Sequence, residues 1–280
     1  MQDAHCQALV RAADKDRYLA TLFAPAEHRD ALYALYAFNL EVARVREVVR
    51  DPLAGEIRLQ WWNDVLHGVD RGEVAAHPVA AALRAAILRY RLPVERLAAL
   101  VAARRFDLYD EPMATLAELE SYAAGASADL IASAADILGG GPAPEELLRH
   151  AGLAQAFAGL LKAFPAHAGR GQLFVPLEVL ERHGADRGSV VSGQASPQLR
   201  AALAEMRFIA RRHLAAARDL IAAAPSEILP ALLPVALAGP TLARMERRDD
   251  DPFRPVEIAP WRRQWLIWRA ARRPQRILAD

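Results

Sequence analysis

Prolines divide this chain into short blocks. Within each block apolar residues recur every three to four positions, and nowhere is a period-two alternation sustained. That pattern leaves packed helices as the way to bury the apolar positions. Pro25, Pro93, Pro112, Pro144 and Pro225 each stand just before or inside the first turn of a predicted helix, where a missing N–H is harmless. The spacing predicts helices over 5–22, 27–49, 56–70, 77–91, 94–109, 116–138, 145–164, 197–223, 227–246 and 260–273. Alanine fills about a fifth of the positions and β-branched residues are comparatively sparse, which favours helix almost throughout. With 280 residues, 53% of them apolar and 25% charged, the chain can bury a full core. The sharpest break, Gly139-Gly140-Gly141-Pro142, is short enough to be a turn within one bundle. The expectation is an all-α, single-domain bundle over 1–280. The segment 166–196, rich in Gly and Ser, reads as a long loop of the kind that forms lids or partner surfaces.

Several function classes are excluded at this level. The formal charge of +1 gives no whole-molecule field for wrapping nucleic acid, so any anion recognition is local. The single Cys6 allows no internal disulfide and no cysteine-rich metal site, which fits a reducing compartment. Asp3, Arg11, Asp14, Lys15, Asp16 and Arg17 interrupt the N-terminus, so a secretory signal is not expected. The least charged long stretch, 228–244, is broken by Pro230, Pro234 and Pro240 and reads as a buried, kinked helical region rather than a membrane span. The eight histidines show no His-x-x-x-His or His-Glu-x-x-His spacing, and no serine sits in a Gly-x-Ser-x-Gly setting. The triple glycine is not a phosphate loop, because no Gly-Lys-Ser/Thr follows it.

Three groups of residues could carry function. On the predicted helix 27–49, Tyr36, Leu40, Ala43 and Glu47 share one face, an apolar stripe ending in a carboxylate. On 145–164, Gln155, Gly159 and Lys162 share another, and Lys162 is the only charge between Gly152 and Phe164. The plain reading of Lys162 is a side chain snorkelling near a helix C-terminus, where a cation is favoured. Near the end of the chain, Trp261, Trp265 and Trp268 fall on one helical face flanked by Arg262, Arg263, Arg269, Arg272 and Arg273, which suits an anionic membrane surface or a partner groove. The plainer expectation is that this helix docks on the bundle through its tryptophans and leaves its arginines in water.

Eight landmarks in order carry a family resemblance: Asp16-Arg17-Tyr18, Tyr33-Ala34-Leu35-Tyr36-Ala37-Phe38, Gln60-Trp61-Trp62, His77-Pro78-Val79, Asp107-Leu108, Leu119-Glu120-Ser121-Tyr122-Ala123-Ala124-Gly125, Gly152-Leu153-Ala154-Gln155 and Leu173-Phe174-Val175-Pro176. Together they resemble the squalene/phytoene synthase family. The resemblance implies an isoprenoid-synthase bundle around a deep apolar cavity, with enzymes that join two prenyl diphosphates head to head. In those enzymes two Asp-x-x-x-Asp motifs hold Mg²⁺ against the diphosphates, since a leaving diphosphate must be neutralised and a hard cation needs several carboxylate oxygens. Here the first motif falls on Ala43-Arg44-Val45-Arg46-Glu47 and the second on Lys162 and Ala166, with Pro165 expected to end the helix. Glu41 lies well round the helix from Glu47. Asp107 reads as an ion-paired helix-end residue, and Asp249-Asp250-Asp251 as a solvated turn.

The resemblance is strongest to a non-catalytic branch related to the mitochondrial respiratory complex I assembly factor, in which the aspartates are replaced and a basic residue stands in the second motif. It implies an assembly or binding factor without catalytic residues, metal or other cofactor. The expected partners are a client protein or a membrane surface, with an isoprenoid or anionic lipid as possible ligand, and the expected location is cytoplasmic or peripheral on the inner membrane. Two forms of the old site follow: Glu47 and Lys162 paired directly where metal used to bridge, or a metal-free cavity with Arg44 and Lys162 facing a lipid head group. The alternatives are an active head-to-head transferase holding Mg²⁺ through Glu47 and Asp107, and a plain lipid carrier.

Overall fold

The computed structural model describes residues 2–49, 51–69, 74–139, 144–247, 251–273 and 277–278, and every regular element among them is helical. Gly140-Gly141-Pro142 and Asp249-Asp250, read above as turns, lie outside the described residues. The first part of the bundle holds α1 (Gln2–Ala13), α2 (Lys15–Thr21), α3 (Ala26–Ala43), the single turn α4 (Val45–Val48), α5 (Pro52–Leu66), α6 (Pro78–Tyr90) and α7 (Val94–Ala103). Then come α8 (Leu116–Ala123), α9 (Asp129–Leu138) and the long α10 (Glu145–Ala168). The remainder is α11 (Leu177–Arg182), α12 (Arg187–Val191), α13 (Pro197–Leu220), α14 (Leu229–Leu232), α15 (Ala238–Glu246) and α16 (Pro260–Arg272).

Local chemistry explains most of the boundaries. Pro25, Pro93 and Pro144 are the N-caps of α3, α7 and α10, and Pro225 precedes the 3₁₀ turn Ser226–Ile228. Pro112 stands clear of any helix, because Thr115 caps α8 through its side chain. The predicted helix 5–22 divides at Asp14, whose carboxylate accepts from the Arg17 N–H and starts α2. The predicted helix 27–49 breaks at Arg44, ahead of Val45, Val48 and Val49, β-branched residues that gain little in helix.

Two expectations are corrected. Pro165 does not end α10, which runs on to Ala168: Phe164 and Ala168 are both buried and hold the last turn to the core. The segment 166–196 is not a free loop. It contains α11 and α12, buries Leu173, Phe174 and Val175, and is tied down by the N–H groups of Leu177 and Glu178, which donate to the carbonyls of Met113 and Ala114. The apolar run Ser226–Glu246 has the length and composition of a membrane span, yet 78% of its most apolar window is buried in the bundle. Its prolines break it into short helical pieces that fill the core, as the sequence predicts.

A single buried core runs through the molecule, with α10 at its centre, packed along α13 and against α9 and α15. Where α8 passes into α9 the backbone widens into a π-helical turn, Ala124–Ala128, and α10 lies directly on it. Gly152 permits this approach. A Cβ at that position would sit 2.3 Å from the Ala128 Cα, against backbone that cannot swing away. Gly152→Val therefore separates α10 from the π-turn and costs about 1–3 kcal/mol, read as a lowered melting temperature with α-helical circular dichroism retained below the transition; an unchanged melting temperature contradicts this packing.

Candidate functional site

Three elements from distant parts of the sequence converge on one face of α10. Gln155, Gly159 and Lys162 line a cavity of about 140 Å³ whose other walls are Asp16 of α2, Pro234 and Leu237, Thr241 of α15, Val256 and Ile258, and Arg263 of α16. The predicted stripe on α10 is thus brought together. The stripe on α3 is not part of it. Tyr36 is buried beneath the Arg17 guanidinium, 5.7 Å from its ring, and burial pushes the phenol well above its ordinary pKa. Leu40 and Ala43 are half-buried, and Arg44 and Glu47 are exposed beyond the break at the end of α3.

Most of the charges around the site are paired within the protein, Lys162 excepted among the described residues. Asp16 receives two hydrogen bonds from Arg263, one from Nε at 3.0 Å and one from Nη2. Asp14 pairs with Arg17. Glu47, 53% exposed at its side chain, lies 3.6 Å from Arg44 and 3.9 Å from Arg170. The expected Glu47–Lys162 ion pair is therefore not formed: the break at Arg44 takes Glu47 off the α3 face and leaves it among arginines. Among the described residues Lys162 has no carboxylate partner, and the buried Gln155 Oε1 beside it accepts no hydrogen bond. Arg44 does not face the cavity.

Asp107 lies on the 3₁₀ turn Phe106–Leu108 and is fully engaged. Arg104 approaches it at 3.1 Å, the Tyr122 hydroxyl donates to its Oδ1 at 2.9 Å, and its backbone carbonyl accepts from Gln172 Nε2. Burial raises its pKa above the usual carboxylate value, against the opposing pull of Arg104. The turn bearing Glu47 packs on this 3₁₀ turn, but each carboxylate meets a guanidinium. No group of three or more His, Cys, Asp or Glu side chains that could hold a metal ion occurs among the described residues. The donor set among the described residues does not fit Mg²⁺.

Volume limits what the cavity can take. About 140 Å³ is the size of a space that accepts a benzene ring, and lies below the ~300 Å³ at which small-molecule pockets begin. The neighbouring apolar space between Phe157, Leu161, Phe164, Phe174 and Met206 is filled to about 10 Å³. A wider cleft of about 360 Å³ beside Phe106, Tyr109 and Tyr122 carries Glu111 and Glu118, the wrong charge for a diphosphate without metal. Cys6 is buried, which pushes its thiol up to about 12 and leaves it unreactive.

Sequence spacing missed the closing wall. By spacing Arg263 belongs with the arginines flanking the tryptophans, and no local pattern links it to Asp16. The tryptophans are also reversed from the plainer expectation: α16 docks through Ile267 and Ala270, while Trp261, Trp265 and Trp268 are 70%, 45% and 47% exposed.

With this geometry in view, the comparisons with known proteins converge. The squalene/phytoene synthase family pattern matches residues 10–269, and the chain belongs to that family. Within it, the chain is 30% identical over 254 residues to the human protein named NADH dehydrogenase (ubiquinone) complex I, assembly factor 6, covering 90% of this chain and 76% of that one. It is 22% identical to the phytoene synthase of Arthrospira platensis, over 94% of this chain and 90% of that one. The fold matches the squalene synthase of Alicyclobacillus acidocaldarius with a TM-score of 0.77 at 22% identity, covering 90% of this chain and 95% of that chain.

Two half-buried side chains give the molecule opposite acid responses. Burial beside Phe174, helped by Arg170, lowers the His167 pKa from 6.5 to about 4, so below pH 6.5 the unfolded chain takes up a proton that the native state refuses. Stability from this group is complete above pH 6.5 and is lost as pH falls toward 4. Burial raises the Asp129 carboxyl to about 6, which works the other way, adding stability as pH falls below 6. In His167→Phe the drop in melting temperature between pH 7 and about pH 5 is smaller than in the parent; an equal or larger drop contradicts the assignment.

Proposed function

We propose that this chain is a non-catalytic assembly factor that acts on formation of a respiratory NADH dehydrogenase complex, with a subunit or assembly intermediate as its client. The observation that carries the reading is the charge at the two former aspartate motifs: Arg44 and Glu47 neutralise each other at one, and Lys162 stands without a carboxylate partner among the described residues at the other. Exchanging a carboxylate for an ammonium about 4 Å from a cation reverses an interaction of roughly 4 kcal/mol at an effective dielectric near 20. Similarity to proteins named as complex I assembly factors supports the same reading from a separate direction. The cavity at Lys162 supports the reading over lipid-carrier and head-to-head transferase functions, because its roughly 140 Å³ is too small for a prenyl chain and the wider cleft beside Tyr109 carries Glu111 and Glu118.

Removing the gene from its own organism is expected to lower the amount of assembled NADH dehydrogenase complex on native gels. The parent chain and its Glu47→Gln variant are both expected to restore it, since no carboxylate chemistry is required. An unchanged complex, or failure of Glu47→Gln alone to restore it, contradicts the proposal.

A further inference from the structure

The final helix presents its most lipophilic residues to the outside. Steps of about 100° per residue put Arg263, Ile267 and Ala270 within about 60° of one another and Trp261, Trp265 and Trp268 within about 60° on the opposite side. The inner set is fixed: Arg263 is bonded to Asp16, Ile267 and Ala270 are buried, and the helix rests on α2 and the 3₁₀ segment Leu233–Leu237. The outer set is three exposed indoles on one convex ridge.

The charges on that ridge are organised with the indoles. The Arg269 guanidinium lies 4.7 Å from the Trp265 ring centre, and Arg272 lies 5.0 Å from that of Trp268. Arg262 is exposed on the same flank as Arg269, and the helix contains no Asp or Glu. Arg263, the one arginine on the inner side, is paired with the Asp16 carboxylate.

From this we infer that α16 is a docking surface for an anionic lipid bilayer, lying in the membrane plane with Trp261, Trp265 and Trp268 at head-group depth and Arg262, Arg269 and Arg272 on lipid phosphates. Indole has the apolar body and single N–H donor that suit the bilayer interface, and guanidinium pairs with phosphate through parallel hydrogen bonds. A convex, carboxylate-free ridge fits a flat negative surface, whereas a protein groove would have to wrap it and supply its own acids. The helix is about 20 Å long at 1.5 Å per residue, enough to lie on a bilayer and too short to cross one. The inference does not rest on the assembly-factor reading, since it needs only this surface.

The test uses full-length protein with phosphatidylcholine vesicles, alone or with about 30 mol% phosphatidylglycerol, read by co-sedimentation and tryptophan emission. Binding is expected to the anionic vesicles, with a blue shift of emission and weakening at high salt. Neutral vesicles are expected to bind far less. Because Trp62 is fully buried and Trp61 packs against the core, the shift is expected to come from α16. The triple variant Trp261→Ser, Trp265→Ser, Trp268→Ser is expected to lose about tenfold or more in vesicle affinity and to lose the shift. Arg262→Gln with Arg269→Gln, which leaves the apolar ridge intact and guards against misfolding of the triple variant, is expected to lose about fivefold per arginine. Failure of the parent to bind anionic vesicles overturns the inference, as does undiminished binding by both variants. Self-association of the parent that the triple variant abolishes also overturns it, because the ridge then belongs to a second copy of the chain.

Discussion

The ion pair between Asp16 and Arg263 joins the second helix to the last across nearly the whole sequence. Its two hydrogen bonds fix the rotation of α16 about its own axis. With that rotation set, Ile267 and Ala270 face inward, Arg263 closes the cavity beside Lys162, and the three tryptophans face out. A free surface ion pair contributes little, but this one is partly buried and bidentate, and it determines what both sides of the helix present.

The same principle runs through the rest of the site. Several of the carboxylates there are held by a guanidinium: Arg17 on Asp14, Arg104 on Asp107, Arg44 and Arg170 on Glu47, Arg46 on Asp110. Arginine is always charged and pairs with a carboxylate in a fixed geometry, so these acids are satisfied with no added cation. At the positions matching the family's first aspartate motif, the one remaining acid, Glu47, meets arginines instead of standing in a cluster that could hold a metal. The apolar space beside α10 is filled by Phe157, Phe164 and Phe174 to about 10 Å³.

Much of the fold was legible because proline and apolar spacing report helix boundaries directly. The family landmarks at Gly125 and Gly152 also acquire a physical meaning, since Gly152 lets α10 approach the π-turn and Gly125 lets the π-turn lie against Ala99 and Ala103 of α7. What spacing could not show depends on tertiary contacts. Nothing local distinguishes Arg263 from its neighbours, yet its pairing decides which way the tryptophans point. Pro165 obeys no local rule either, because burial of Phe164 and Ala168 carries the helix past it. Glu47 was placed on the α3 stripe by extending a helix that stops at Arg44, and the expected pair with Lys162 failed with it. Lys162, Gln155 and Gly159 do line one cavity, because the stretch of α10 that bears them is unbroken.

A non-catalytic assembly factor, as proposed above, does not ionise prenyl diphosphates. The most direct measurement is release of diphosphate from farnesyl diphosphate by the purified protein with Mg²⁺. Release at the rate of the protein-free control is the expected result. Release at an enzymatic rate that Mg²⁺ removal or Glu47→Gln abolishes would contradict it.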